Sequence, residues 1–283
     1  MNILTFDIED WFHVLDNAPT RGVDDWARYP SRFEPVVDRL LTILDERNLK
    51  ATFFCLGWMA EHHPHVIRRI HSQGHEIGTH SYAHQLAYEQ TPEQFTHDFK
   101  CSLAVLEDAT GEKVRAYRAP GFSLTSENRW VFDILVEHGI EVDCSVFPAG
   151  RAHGGFAEFG TCGPAIVETR SGQLKEFPIN VWETFGLKLV FSGGGYFRLL
   201  PYSMIRALAR RSPYLMTYFH PRDFDPDQPL IPGLNAIRRF KSYYGLRSAE
   251  NKLERFLDEF EFIDLRTAVS RVDWSEARRF VIS

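Results

Sequence analysis

Short apolar runs alternate with helix-period segments along most of the 283-residue chain, and this alternation restricts the fold more than any other feature. The runs of strand length cover residues 3–8, 51–56, 75–79, 116–118, 142–145 and 215–220. The helix-period segments lie between them, at about 34–48, 58–73, 92–109 and 126–138. Strands that alternate with helices form βα units, and the chain length suits one barrel of such units. We therefore predict an α/β fold.

Local signals indicate where several helices begin and end. Thr91-Pro92-Glu93-Gln94 offers an N-cap residue, a proline at the first helical position and a glutamine at the third. Gly74 and Gly139 follow two helical segments, at the position where a left-handed residue usually ends a helix.

The stretch from about 146 to 200 departs from the βα rhythm. It is rich in glycine and carries short β-like pieces at 165–169 and 174–177. We interpret it as an insertion on the barrel rim that contains a small hairpin.

A helix at about 249–258 and a strand near Phe262 close the chain. We expect one domain over residues 1–283, made of a barrel core at 1–225 and a C-terminal extension at 226–283 packed on it.

Ionisable residues stand at the ends of five predicted strands: Asp7, His80, Arg118, Asp143 and His220. In an α/β barrel the carboxyl ends of the strands converge on one face, where active sites are built. We expect these side chains to meet in one site.

His80 and His84 are four residues apart, directly after the strand predicted at 75–79. A helical turn or a tight loop would let both imidazoles reach one ion. Imidazole ligands suit Zn²⁺, which we expect as a single divalent ion, and Co²⁺ or Ni²⁺ fit the same ligands.

A third ligand is expected from the acids that end the first strand. Asp7 and Glu9 share one face of an extended strand, whereas Asp10 joins that face only if the chain turns. Glu9 and Asp10 are both candidates at this stage.

The net charge of −6 and the lack of a dense basic patch argue against nucleic-acid binding. No apolar stretch approaches the roughly 20 residues of a membrane span. The N-terminal segment lacks the pattern of a signal peptide, so we expect a cytoplasmic protein with reduced cysteines. Oligomeric state is left open.

Five motifs, taken in order, resemble those of the polysaccharide deacetylases, carbohydrate esterase family 4. Thr5-Phe6-Asp7-Ile8-Glu9-Asp10 resembles the first motif, Thr-Phe-Asp-Asp-Gly. The other four matches are His80–His84 for His-(Ser/Thr)-x-x-x-His or close variants, Arg118-Ala119-Pro120-Gly121 for Arg-x-Pro, Asp143-Cys144-Ser145, and Phe219-His220. The resemblance implies the distorted, incomplete (β/α) barrel called the NodB homology domain, here with rim insertions and a C-terminal extension.

The first motif departs from the family pattern, because Ile8 occupies the usual ligand position. Relatives with an Asp-x-Asp-type motif use the second acid, which implies Glu9, with Asp10 as the alternative. The segments 7–13, 219–221 and 224–226 resemble the branch found in bacterial exopolysaccharide loci.

The resemblance implies hydrolysis of an N-acetyl group from an amino-sugar unit of a polysaccharide or its biosynthetic intermediate, with release of acetate. Asp7 is the implied general base, and Arg118 would hold it ionised and oriented. His220 would protonate the leaving amine, with Asp143 orienting it. The implied partner is an N-acetylated carbohydrate.

Four further residues are candidate substrate contacts. The backbone N–H just after Pro120, that of Gly121, could stabilise an oxyanion. Trp182 could stack on a sugar ring, and His13 lies beside the acidic cluster.

Three alternatives remain. A metal-independent amide hydrolase on the same fold fits poorly with intact His80 and His84. A non-catalytic carbohydrate-binding protein would have lost its base or acid, yet Asp7 and His220 are both present. A nucleotide- or lipid-linked sugar could replace the finished polymer, and the absent signal peptide favours that substrate.

Overall fold

A computed structural model describes residues 1–15, 17–150, 154–184 and 187–282. The strands are β1 (Asn2–Ile3), β2 (Thr5–Ile8), β3 (Thr52–Cys55), β4 (Glu76–Thr79), β5 (Ala116–Tyr117), β6 (Val142–Asp143), β7 (Ala165–Thr169), β8 (Gly172–Glu176), β9 (Trp182–Thr184), β10 (Leu187–Leu189), β11 (Leu215–Met216) and β12 (Arg278–Val281). The helices are α1 (Val23–Trp26), α2 (Phe33–Asp45), α3 (Gly57–His62), α4 (Pro64–Ser72), α5 (Pro92–Thr110), α6 (Trp130–Glu137), α7 (Gly194–Leu199), α8 (Tyr202–Arg211), α9 (Ala236–Tyr243), α10 (Leu246–Glu259) and α11 (Leu265–Arg271). Short 3₁₀ helices cover Ala18–Thr20, Ala87–Glu89, Pro120–Phe122, Ala157–Phe159 and Pro221–Phe224.

The central sheet has eight strands in the order β12-β7-β8-β6-β5-β4-β3-β2, and its pairings from β2 to β8 are all parallel. Beyond β2, a parallel ladder joins β1 to β11, and a single bridge links Phe6 to Phe219. Among the described residues, the strand pairings do not close the sheet into a ring. The predicted α/β class is confirmed.

Strands β2 and β3 are covered by protein on both faces. Every residue of β2 and of β3 is buried, as expected for parallel strands covered on both sides. Helices α2 and α5 each bury one apolar stripe in the same core. The strand ends are thereby fixed on a rigid scaffold.

The helix signals predicted for α5 are present. Thr91 Oγ1 accepts the backbone N–H of Gln94 at 3.3 Å, and Gln94 Oε1 accepts that of Thr91 at 2.9 Å. Gly74 and Gly139 have φ of 82° and 84°, the left-handed conformation that ends a helix.

The hairpin predicted on the rim lies instead in the central sheet. It consists of β7 and β8, and β8 pairs in parallel with β6, so that Asp143 lies opposite Glu176. The physical reason is burial: Leu174 and Glu176 of β8 are fully enclosed, which a hairpin on the rim would not achieve.

The C-terminal region is joined to the sheet at its edge. Strand β12 pairs in parallel with β7, while Ile263 makes an isolated bridge to Ile3 where a strand near Phe262 was predicted. Helix α9 has no buried residue. In the described part of the chain no helix is long and apolar enough to cross a membrane. The one-domain organisation stays a prediction.

Candidate active site

Glu9, His80 and His84 meet at the carboxyl ends of β2 and β4. Their ligand atoms all lie within 4.8 Å of one another, and all three residues are buried. Nε2 of His80 lies 3.2 Å from Glu9 Oε1, and Nε2 of His84 lies 2.9 Å from the same oxygen. Two imidazoles and one carboxylate directed at one point form a ligand set typical of a divalent metal.

The contacts of His80 test whether a cation fits there. Its Nδ1 lies 2.7 Å from the backbone oxygen of Arg118, which can only accept a hydrogen bond, so Nδ1 carries the proton. In the neutral ring, Nε2 therefore presents a lone pair towards the Glu9 carboxylate. Two acceptors 3.2 Å apart repel unless a proton or a cation lies between them. The donor set fits a metal ion, and the backbone contact fixes the ring as in known metal sites.

The histidines are carried on a tight loop. Ser81 and His84 have φ of 65° and 51°, a region that costs free energy for residues other than glycine. Asp98 on α5 compensates, because its carboxylate accepts the backbone N–H groups of Tyr82 at 2.8 Å and Ala83 at 2.9 Å. The loop conformation is thus determined by an acid outside the motif.

Asp10, the other candidate ligand, lies outside this cluster. Its Oδ1 accepts the backbone N–H of Trp11, and its Oδ2 accepts from the Ser31 hydroxyl at 2.6 Å and the Arg32 N–H at 2.9 Å. Both oxygens are therefore occupied in joining two chain segments. Glu9, and not Asp10, lies with the two histidines, so Glu9 is the candidate third ligand and the alternative of Asp10 is corrected.

Asp7 and Arg118 form a buried ion pair with 2.6 Å between Oδ1 and Nη1. Arg118 is fully buried, donates a second bond from Nη1 to Thr5 Oγ1, and stacks 4.2 Å over the ring of Phe54. The other Asp7 oxygen, Oδ2, lies 3.8 Å from Nε2 of His220. One oxygen of Asp7 is thus anchored and the other faces the site.

His220 is held by a carboxylate that the sequence did not single out. Its Nδ1 lies 3.0 Å from Oδ2 of Asp223, which also accepts the His220 backbone N–H. Arg198 holds the other Asp223 oxygen at 2.9 Å and donates to the backbone oxygens of Lys241 and Tyr244. Arg198 therefore connects the end of α9 to the carboxylate that orients His220.

Asp143 does not orient His220, which corrects that prediction. Its Oδ1 accepts from the Ser145 hydroxyl at 2.5 Å, and it lies opposite Glu176 across the β6–β8 ladder. Burial raises the pKa of Asp143, and burial together with Asp143 raises the pKa of Glu176 well above its ordinary value. The pairing register of β6 and β8 explains why Asp143 does not contact His220. Strand β8 places a second acid, Glu176, next to Asp143, and the acid that bonds His220 is Asp223, one turn along the chain.

Opposing effects act on the charges of the site. Burial raises the pKa of Glu9, but the charges of His84 and His220 outweigh burial and hold that pKa well below its ordinary value. Burial lowers the pKa of His220, yet the surrounding carboxylates, chiefly Glu9 and Asp223, raise it to about 9. The raised pKa favours the protonated, cationic ring of His220 at neutral pH.

A central cavity of about 380 Å³ opens over these residues. Gly121 lines it beside Ala119, while Pro120 is buried in the turn that precedes Gly121. His13 lines the cavity too: its Nδ1 accepts the Asp10 N–H at 3.0 Å, so Nε2 carries a proton. That Nε2 is buried and makes no hydrogen bond with any described residue.

Trp182 is not among the residues that line the central cavity, which corrects its predicted contact with sugar. It pairs with Leu189 in the β9–β10 ladder, and both side chains pack against the main hydrophobic core. An exposed aromatic from the same region, Tyr196, lines the cavity instead.

Sequence reasoning did not identify three residues that support the site: Asp223, Arg198 and Asp98. A signal existed for Asp223, since it lies at the third position of a turn that Pro221 begins after His220. Asp98 lies inside α5 and Arg198 in the last turn of α7, and no local pattern separates them from surface charges.

The sheet, the buried His–His–carboxylate cluster and the flanking acid–base pair define an α/β protein with a candidate metal-dependent hydrolytic centre. Residues 4–142 match the family described as Polysaccharide deacetylase, and residues 144–270 match a domain of unknown function, DUF3473. Through residues 4–142, the chain belongs to the polysaccharide deacetylase family. The predicted family is confirmed, and the exopolysaccharide branch stays a prediction.

Curated relatives match the N-terminal part of the chain. A peptidoglycan-N-acetylglucosamine deacetylase from Bacillus cereus is 31% identical over 93 residues, which cover 32% of this chain and 34% of the relative. A peptidoglycan deacetylase from Helicobacter pylori is 28% identical over 123 residues, covering 44% and 41%. The matched stretch thus spans well under half the length of these relatives.

A solved structure extends the likeness in fold to the whole chain. A Mycobacterium smegmatis protein assigned as a polysaccharide deacetylase superposes with a TM-score of 0.69 at 19% identity. The match covers 100% of this chain and 93% of that one. The C-terminal region therefore belongs to the shared fold.

Proposed function

We propose that the protein is a metal-dependent carbohydrate N-deacetylase, which hydrolyses the acetamido group of an amino sugar and releases acetate. One observation carries the proposal: Glu9, His80 and His84 converge within 4.8 Å beside Asp7 and His220, each of which is held by its own charged partner. Membership of the family supports this reaction over other metal-assisted hydrolyses.

Glu9, His80 and His84 would hold the ion. When bound, a divalent ion supplies Lewis acidity to the acetyl carbonyl. Asp7 Oδ2 takes a proton from the attacking water, because its partner oxygen is already bonded to Arg118. Asp7 in turn supplies the counter-charge of the buried Arg118, and this pair fixes the position of the base.

His220 gives a proton from Nε2 to the amine nitrogen as the carbon–nitrogen bond breaks. Asp223 accepts from Nδ1 at 3.0 Å, which keeps the other ring nitrogen directed at Asp7 and Glu9, each 3.8 Å away. The Gly121 backbone N–H is the candidate donor to the oxyanion of the tetrahedral intermediate.

Two alternatives are weaker on specific grounds. A metal-independent amide hydrolase would leave the facing lone pairs of His80 and Glu9 unexplained. A non-catalytic sugar-binding protein would have no need for two buried ion pairs beside the cavity, which cost desolvation without adding affinity.

The test is release of acetate from N-acetylglucosamine oligomers, peptidoglycan fragments and UDP-N-acetylglucosamine by metal-free protein, before and after addition of Zn²⁺, Co²⁺ or Ni²⁺. The wild type should release acetate only with metal, and His80→Ala/His84→Ala should release none. His65→Ala changes an exposed histidine and should behave like the wild type. Equal activity of the double variant, or of the metal-free protein, would contradict the proposal.

A further inference from the structure

Two basic residues that line the central cavity, Arg222 and Lys241, form no ion pair with an acid among the described residues. Arg222 follows Pro221 in the short turn after His220, and its side chain is half-buried. No ion pair or side-chain hydrogen bond joins it to the described residues, although the charges of Asp223 and Glu9 act on it at longer range. Lys241, at the end of α9, is exposed at the cavity edge and has no acidic partner in the described ranges.

The other charges around the cavity are already balanced within the protein. Asp7 is paired with Arg118. Asp223 is shared between Arg198 and His220. Glu9 faces His80 and His84, so the acids of the site have partners of their own.

The half-buried position of Arg222 costs free energy, because its charge is partly removed from water without a bonded acid. Burial lowers the pKa of Arg222, and nearby Arg198 acts in the same direction against Asp223. The planar guanidinium presents paired N–H donors that match a carboxylate or a phosphate.

Aromatic side chains stand beside these cations. Tyr196, Phe240 and Tyr244 line the cavity and are each about half exposed, and the rings of Phe240 and Tyr244 are 4.9 Å apart. Exposed aromatic faces next to a polar cavity offer packing surface for sugar rings.

We propose that Arg222, assisted by Lys241, binds an anionic substituent of the substrate, either the carboxylate of a uronic acid or a phosphate linked to the sugar. This inference rests on the proposed deacetylation and narrows its substrate class. A neutral N-acetylglucosamine polymer would leave Arg222 unpaired, whereas an acidic sugar would supply its missing counter-charge.

The experiment compares the wild type with Arg222→Gln and Arg222→Lys. Arg239→Gln is the matched control, because Arg239 is exposed on the neighbouring helix and does not line the cavity. Binding of glucuronate, pyrophosphate and neutral chitotriose to metal-free protein is measured by calorimetry. Acetate release is measured on neutral oligomers, uronate-containing oligomers and UDP-N-acetylglucosamine.

We expect the wild type to bind one of the two anions, with affinity that falls as salt rises. Arg222→Gln should lose at least tenfold in that affinity and raise the KM of the matching substrate without lowering kcat, while chitotriose binding stays unchanged. Arg222→Lys should be intermediate. Binding of glucuronate alone identifies a uronate, and binding of pyrophosphate alone identifies a phosphate-linked sugar.

The inference is overturned if neither anion binds better to the wild type than to Arg222→Gln, or if Arg239→Gln has the same effect. Failure of the deacetylase proposal has a different signature: anion binding that depends on Arg222, with no acetate released from any substrate.

Discussion

His220 and Asp223 are joined within a single short turn, with 3.0 Å between Nδ1 of the histidine and Oδ2 of the aspartate. The backbone N–H of His220 donates to the same oxygen, so the aspartate fixes both the main chain and the ring. The ring therefore presents Nε2 towards Asp7 and Glu9, where a leaving amine would need a proton. The proposed general acid and its orienting carboxylate are thus encoded three residues apart.

Asp223→Asn should move the alkaline limb of the kcat/KM–pH profile to lower pH. The neighbouring carboxylates raise the pKa of His220, and a general acid is lost as pH rises through its pKa. Without the Asp223 charge, the pKa of His220 falls, and activity disappears at lower pH. The profile is measured by acetate release between pH 5 and about 10.

Asp143→Asn is the control for that measurement. Because Asp143 is occupied by Ser145 and Glu176, its substitution should leave the alkaline limb in place even if stability falls. A shift of the limb in Asp143→Asn, with none in Asp223→Asn, would restore Asp143 as the orienting acid.

Asp7→Asn should lower kcat by about 10²- to 10⁴-fold, the usual contribution of a positioned base. Asparagine keeps the side-chain shape and can still accept from Arg118, but Arg118 loses its counter-charge, so stability should fall while the folded variant keeps its metal content. Acetate release and metal content are measured on the same sample. A loss of less than about tenfold would remove Asp7 as the base.

The fold and much of the site could be predicted because strand ends converge in α/β proteins. Apolar runs located β2, β4 and β5, and the ends of these strands carry Asp7, His80 and Arg118. The choice between Glu9 and Asp10 could not be made, since it depends on a turn that Asp10 itself stabilises through residues 31 and 32.

The other contacts that could not be predicted join segments that are distant in the sequence. The partner of Asp143 is Glu176 on β8; the sequence indicated a β-like piece at 174–177 but not that it pairs with β6. Arg198 reaches Asp223 across 25 residues of sequence, and no local pattern reports such a contact.

Asp98→Asn should weaken metal binding by about 10- to 100-fold, the usual effect of removing a group that orients the ligands. An asparagine oxygen cannot replace both carboxylate oxygens that hold the N–H groups of Tyr82 and Ala83. The dissociation constant is measured by competition with a chelator. Asp108→Asn, an exposed change on the same helix, should bind metal like the wild type, and equal affinity in both variants would contradict the account.

Glu176→Gln should flatten the dependence of stability on pH. Burial and the Asp143 charge raise the pKa of Glu176, so the folded state binds more protons than the unfolded state above about pH 4.5. The free energy of unfolding should therefore fall as pH rises from that value, until the folded-state pKa is passed. Glutamine has no such proton to lose.

Urea unfolding of the wild type and Glu176→Gln at several pH values measures this slope. Glu183→Gln, an exposed change, should keep the slope of the wild type. Parallel curves for the wild type and Glu176→Gln would show that the buried pair does not titrate as described.

The central claim is that Glu9, His80 and His84 hold one catalytic metal ion, and metal content tests it most directly. Elemental mass spectrometry of the wild type, Glu9→Gln and Asp10→Asn should give about one divalent ion per chain in the wild type and in Asp10→Asn, and little in Glu9→Gln. No specific ion in the wild type after reconstitution, or loss of the ion from Asp10→Asn but not from Glu9→Gln, would contradict the account.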